Sequence, residues 1–341
     1  MELIWLFKLD GATDFLNVDT GRDTPLYIDP MMIRVSESVF GKECLTKLDS
    51  FWKVVRSALE NEAHWKLQKL FSHMKEENAT HLWVCFKKLS WKGVWPKKAN
   101  DLLDAIIGSN AIKQGLVAEI LDMNLFVENI GPDNISDMVT NIIKNELCSY
   151  TQDQCKQYNI PTKQFNMWFY RDSDLLARKR LKTFLPTDNK GKPIIFVPKV
   201  FISDYRKYSW RRYFNLTILD SKLTEGTTKR ELKNAYHLRY TPKYIESESI
   251  INIGLLKKFK ERVYTELKEM LQVYWTHDSV FCLDFRIGKA MLRYKLFQEA
   301  IRGLKIKFSP ERMEKFVMKQ KEIIDVFKQK KNINTKSKKK I

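Results

Sequence analysis

Apolar positions along this chain switch between a period of two and a period of 3.6, and the switches mark out its elements. Residues 3–9, 15–19 and 26–29 read as short strands, with Thr20-Gly21-Arg22-Asp23 as a hairpin turn between the last two. A helical period follows. Leu45, Leu48, Trp52, Val55 and Leu59 recur at three- and four-residue spacing and predict an amphipathic helix. Residues 64–77 predict a second helix and residues 81–86 a short strand. A long helical stretch runs over 100–126, with Gly108 and Gly115 as its possible breaks. Beyond the turn Ile130-Gly131-Pro132-Asp133 a helix is predicted over 134–150. Strands are predicted over 164–171 and 192–202, the second after a turn at 188–192. From residue 249 the period is helical, giving helices over 255–274, 283–304 and 310–328, with Ser309 as N-cap and Pro310 in the first turn. The expected fold is α+β with helix dominant: short N-terminal strands or a hairpin, a central mixed segment and a helical C-terminal region.

Composition permits a real core. Apolar residues make up 44% of the chain's 341 residues and charged residues 30%, which excludes a disordered chain. Charge changes the picture more. The formal net charge is +19, and it is unevenly placed. Residues 1–150 hold 17 Lys/Arg against 21 Asp/Glu, whereas residues 151–341 hold 43 against 20. The switch, with Ile160-Pro161-Thr162, suggests an acidic α+β region over 1–155, a basic and mostly helical region over 156–329, and a disordered Lys-rich tail over 330–341. A polyanion is the natural partner of such a basic region, because each neutralised phosphate releases a condensed counterion. DNA or RNA is the expected partner. The five cysteines are scattered without a CxxC pair, which fits a reducing compartment. The start is too short and too acidic for a signal peptide, and no apolar run is long enough to span a membrane. A cytoplasmic protein with no membrane partner is expected. There is no Walker A, dinucleotide-binding glycine fingerprint, HExxH or G-x-S-x-G, so NTPase, dehydrogenase, zincin and serine-hydrolase chemistry find no support.

Two kinds of residue pattern carry candidate chemistry. The first is aromatic and cationic. In residues 204–214, Tyr205, Tyr208, Trp210 and Tyr213 interleave with Arg206, Lys207, Arg211 and Arg212. Aromatic faces stack bases while cations hold phosphates. Arg178, Lys179 and Arg180, with Lys182, form a second basic cluster. The plain alternative is an amphipathic segment whose aromatics are core and whose basic stems lie along it.

The second pattern is acidic. Around the apolar stripe Ile135, Met138, Val139 and Ile142 stand Asp133 and Asp137. Two carboxylates close in space suit Mg²⁺ or Mn²⁺, and with Lys199 as a supporting cation they would make a phosphodiester hydrolase. The alternative is that both simply complement the positive end of the helix. Other loose pairings exist. Asp204 with Asp220 and Lys222 has nuclease-like spacing, Arg230 and His237 have the spacing of HEPN ribonucleases, and Asp19 and Asp29 are ordinary turn aspartates or metal ligands.

The segment IGPDNISD at 130–137, with Asn141-Ile142-Ile143, Tyr150-Thr151 and Gln154-Cys155, resembles a family of uncharacterised bacterial proteins. The likeness extends toward Asp19 and Asp29 and to residues 193–199, about half of the chain. Where that family has a Gly-rich stretch, residues 88–97 here hold only Gly93. The resemblance implies a phage-defence or restriction setting and carries no catalytic residues. The sequence-based expectation is a nucleic-acid-acting protein, a metal-dependent nuclease with Asp133 and Asp137 as metal ligands. Its alternative is a non-catalytic binding subunit of a larger complex with protein partners. The expected contacts to nucleic acid are Arg178, Arg180, Arg206, Lys207, Tyr208, Trp210, Arg211 and Arg212.

Overall fold

The helix-dominant α+β fold is present in the computed structural model, which describes residues 1–9, 13–21, 24, 26–72, 74, 77–82, 95–128, 130–171, 174–203, 207–223, 228–235 and 242–276. The strand expected at 83–86, the helices at 283–304 and 310–328, the Lys-rich tail, and Arg206, Asp204 and His237 lie outside the described residues.

Residues 3–6 form a helical turn, α1 (Leu3–Leu6), where the pattern predicts a strand. Its first amides find partners in the segment at residues 17–18. Leu3 N–H donates to the Val18 carbonyl at 3.1 Å and Ile4 N–H to Asn17 Oδ1 at 3.0 Å. After β1 (Tyr27–Ile28) comes α2 (Pro30–Ser36), which begins where it should. Pro30 takes the first position and Asp29 accepts from Met31 N–H at 2.9 Å. Asp29 is thus a helix cap. The long helix α3 (Val39–Glu60) is capped by Ser38, and it buries Cys44, Leu48, Phe51, Trp52, Val55 and Ala58 as one stripe. Helix α4 (His64–Phe71) follows.

The stretch expected over 100–126 breaks at both glycines. It yields α5 (Trp95–Gly108), α6 (Asn110–Lys113), a 3₁₀ turn at Ile120–Asp122, and α7 (Met123–Phe126). Ser109 caps α6, and Gly115 takes the left-handed backbone (φ +75°) that stops it. The helix expected over 134–150 is two helices, α8 (Pro132–Ile142) and α9 (Lys144–Gln157). Near the joint, Thr140 donates back to the Ser136 carbonyl at 2.7 Å and Asn141 to that of Asp137 at 2.9 Å, contacts that bend or end a helix.

Strands β2 (Lys163–Arg171) and β3 (Asp174–Leu185) form an antiparallel hairpin. Residues 193–198 then run extended through the core, with Ile194, Ile195, Phe196 and Val197 all buried, and a 3₁₀ turn follows at Lys199–Phe201. They are not the long strand their apolar run suggests, because their amides are shared among four partners. Ile195 N–H donates to the Ala79 carbonyl, Phe196 N–H to Thr151 Oγ1, Lys199 N–H to the Asp14 carbonyl, and Val197 accepts from Leu16 N–H. Phe15 stacks on Phe196 at 4.1 Å between ring centroids. The segment ends in β4 (Ile202–Ser203), which pairs antiparallel with β1. The N-terminal extended pieces therefore pair with residues 198–203.

The last described elements are α10 (Trp210–Tyr213), a π-helical turn at Phe214–Ile218, α11 (Leu219–Ser221), α12 (Lys229–Ala235), α13 (Pro242–Ile251) and α14 (Gly254–Thr276). Residues Met1–Met291 form one compact unit, so the charge switch near residue 155 falls inside it; Leu292–Ile341 is the second unit. Among the described residues no helix is long and apolar enough to cross a membrane.

Candidate nucleic-acid interface

Alternation along β2 and β3 separates two faces of the hairpin. The register pairs Gln164 with Phe184, Asn166 with Lys182, Trp168 with Arg180, and Tyr170 with Arg178, so these eight residues share one face. Phe165, Met167, Phe169, Leu181, Thr183 and Leu185 take the other, together with Lys163 and Lys179. On that second face Phe169, Thr183 and Leu185 are buried, and α9, α4 and α8 pack on the hairpin. Burying these apolar side chains fixes the hairpin to the body, at about 1.5–3 kcal/mol per fully buried ring or branched chain.

The first face is different. Near the turn it is pinned. Tyr170 is buried, its hydroxyl donates to the Leu70 carbonyl at 2.6 Å, and its ring meets Phe51 edge-on at 5.6 Å. The Arg178 guanidinium lies 5.7 Å from the centroid of the Tyr170 ring and 5.9 Å from that of Trp168, and its Nη2 donates to the Trp168 carbonyl at 3.2 Å. Beyond this row the face opens to solvent. Trp168 is 48% exposed and Phe184 51%, and Gln164, Asn166, Arg180 and Lys182 are exposed around them. Among the described residues Arg180 and Lys182 have no ion-pair partner. Residues 163–185 carry six Lys/Arg and two Asp. The result is a ribbon with two exposed rings, unpaired cations beside them, and one end locked.

Residues 207–213 are arranged otherwise. Tyr208, expected to stack on a base, is 1% exposed, and its hydroxyl donates to Asp122 Oδ1 at 2.7 Å. Burial, then the Asp122 carboxylate, pushes its phenol well above the ordinary range, so it stays a donor. Tyr213 is buried too and shares a 2.8 Å hydrogen bond with Ser249. Arg212 donates to both carboxylate oxygens of Glu266, and Lys207 reaches the same carboxylate at 3.2 Å. Both cations pair with this carboxylate of α14, Lys207 from a half-exposed position. Of the expected contacts in this segment, Arg211 is exposed and stands over the Trp210 ring at 5.3 Å. For Tyr208, the amphipathic alternative describes what is there. Its ring packs 5.3 Å from Phe259 of α14, and its carbonyl accepts from Asn124 Nδ2 of α7 at 2.8 Å.

The acidic pattern also resolves into parts. Asp133 sits in the first turn of α8, after Gly131 as N-cap, and Gly131 N–H donates to Asn134 Oδ1 at 3.1 Å. There it complements the helix dipole. It also lines a cavity of about 810 Å³, whose wall includes Asp101, Asp104, Glu128, Glu246 and Lys243. Asp137 is absent from that wall. Lys199 is 3% exposed and sits in the 3₁₀ turn at Lys199–Phe201. Among the described residues no three His, Cys, Asp or Glu side chains group to hold a metal ion. Lys222 is paired with Glu248 at 2.8 Å and Asp220 lies 3.6 Å from Arg262.

Sequence reasoning found Arg178, Arg180 and Lys182 but missed Trp168, Phe184 and Asn166. The signal was available. Arg178, Arg180, Lys182 and Phe184 stand at every second position, alternating with Leu181, Thr183 and Leu185, which is a strand pattern with a cationic face.

A family model described as Domain of unknown function (DUF8370) matches residues 8–209, more than half of the chain. The matched span holds the hairpin, α8 and the core segment 193–201, and ends before α10. No curated protein and no solved structure matches the chain.

Proposed function

The chain belongs to the DUF8370 family, and on that footing we propose that it binds nucleic acid across the exposed face of the β2–β3 hairpin. The observation that carries this reading is the coincidence of exposed Trp168 and Phe184 with Arg180 and Lys182, which have no ion-pair partner among the described residues, on one face of one ribbon. An exposed aromatic surface alone suits many partners, and a cationic one alone suits any polyanion. Together they suit a polymer that offers both phosphates and flat rings. The test is fluorescence anisotropy with labelled single- and double-stranded DNA and RNA over a range of salt. Binding whose logarithm falls linearly with the logarithm of salt supports the reading. Binding that is absent, or indifferent to salt, removes it.

A second reading adds cleavage of the bound strand. It is favoured by the place of Asp133 on the wall of the acidic cavity. Incubation of each labelled substrate with and without Mg²⁺ or Mn²⁺, read on a denaturing gel, decides it. Cleavage lost in Asp133→Ala supports it. Intact substrate in every lane leaves a binding protein, acting with protein partners in a larger complex. Its setting would be the cytoplasm. The segment 130–155 lends a phage-defence role, tested by plating efficiency of phage on cells with and without the protein.

A further inference from the structure

We infer that the strand held by the hairpin is single, with bases stacked on Trp168 and Phe184; this rests on the nucleic-acid reading above and narrows it. Three observations lead there. First, the two rings project from the same face and are offset along it. Trp168 lies opposite Arg180, and Phe184 is four residues further along β3. At about 3.3 Å of rise per residue, the two rows are about 13 Å apart. That leaves one intervening row, Asn166 and Lys182, between the rings. Each row is two residues from the next, about 7 Å, which is within the reach of one extended nucleotide.

Second, each row offers complementary groups. A cation stands beside Trp168 (Arg180) and another in the row between the rings (Lys182), while Asn166 and Gln164 supply amide donors and acceptors. A base on each ring and a phosphate near each cation would run along the ribbon without any group left over. In a duplex the base faces are covered by their neighbours, so the rings would find only edges and sugars.

Third, Trp168 is held ready. Its carbonyl accepts from Arg178, whose guanidinium also lies over the Trp168 and Tyr170 rings, and Tyr170 is anchored to α4. The indole is 48% exposed, so about half of its surface is open to a base. Little freedom of the ring is then lost on binding.

The experiment compares three labelled probes on the full chain: a thymidine strand, a strand of equal length with abasic residues throughout, and a duplex. The expected result is that the thymidine strand binds most tightly. The abasic strand binds about thirty-fold more weakly with the same salt slope, near the lower end of what loss of two stacked bases produces. Trp168→Ala brings the thymidine strand toward the abasic one and leaves the duplex unchanged. The abasic probe needs no altered protein, so the outcome does not depend on how the variant folds. If all three probes bind alike with a steep salt slope, nucleic-acid binding stands and base stacking is overturned. If none binds with a salt slope, the underlying reading falls as well, and an acidic protein becomes the occupant of this face.

Discussion

Replacing Tyr208 by phenylalanine separates the two roles its sequence context allows. In the structure the ring is buried, stacked in a tilted arrangement 5.3 Å from Phe259, and its hydroxyl donates to Asp122. Asp122 is fully buried. Its carboxylate also accepts from Ala118 N–H at 3.0 Å and Glu119 N–H at 3.1 Å, and Lys260 Nζ lies 2.7 Å away. Lys260 continues to Glu119 at 2.8 Å, and Glu119 to Arg34. The cluster ties α14 and residue 208 to the turn before α7. Tyr208→Phe keeps the ring and removes one hydrogen bond to a charged group, about 1.5–3 kcal/mol. Because three other donors still reach Asp122, the carboxylate is not orphaned, and a loss of about 2 kcal/mol is expected. For a unit of this size that lowers Tm by about 3 °C. Lys260→Met removes the cation and leaves the buried carboxylate uncompensated, at about 3–5 kcal/mol. The assay is chemical and thermal unfolding of both variants and their combination, with oligonucleotide affinity measured at a temperature where all are folded. Destabilisation without change in affinity is expected. A Tyr208→Phe protein that melts with the parent but binds nucleic acid more weakly would refute the reasoning.

Further outcomes follow from the same structure. Burial alone would raise the Glu266 carboxyl, but hydrogen bonds from Arg212 and Lys207 outweigh it and hold the group below its ordinary 4.5. A depressed carboxyl stabilises the folded state above its unfolded value and loses that effect as pH falls through the folded one. The Tm difference between the parent and Glu266→Gln should therefore shrink as pH drops below 4.5. Burial pushes the thiols of Cys148 and Cys155 up to about 12, and that of Cys44 higher still. All three should resist iodoacetamide at pH 8 until denaturant is added, as read by peptide mass mapping. Asp133→Asn should cost about 0.3–1 kcal/mol through the helix end, measured by urea unfolding, and leave oligonucleotide affinity unchanged.

Much of the fold was legible in the sequence where one period persists. Of the stripe predicted on α3, Leu48, Trp52 and Val55 are buried while Leu45 and Leu59 are half-buried, and the apolar face of α8 is buried as its spacing predicts. What escaped depends on distant partners. The run 193–201 has the burial of a core strand, yet its hydrogen bonds go to residues 14, 16, 79 and 151, and no local pattern encodes that division. Residues 3–6 coil because Asn17 and Val18 satisfy their first amides. For the site, the difficulty was that aromatic and basic side chains serve equally well in a core and on a surface. Tyr208 and Arg212 look like ligands in the sequence, but Asp122 and Glu266 claim them. Trp168 and Phe184 look like core and are half exposed. Only the register of the hairpin separates the two cases.

The most direct test of the central claim is the salt dependence of oligonucleotide binding in the Arg180→Gln/Lys182→Gln double variant. Both side chains are exposed and have no ion-pair partner among the described residues, so the fold should be unaffected, which circular dichroism checks. If the hairpin face holds a single strand through these cations, affinity falls at low salt and the log–log slope is shallower by about 1.4, at about 0.7 for each lost phosphate contact. An unchanged slope and affinity would contradict the account and move the binding surface elsewhere.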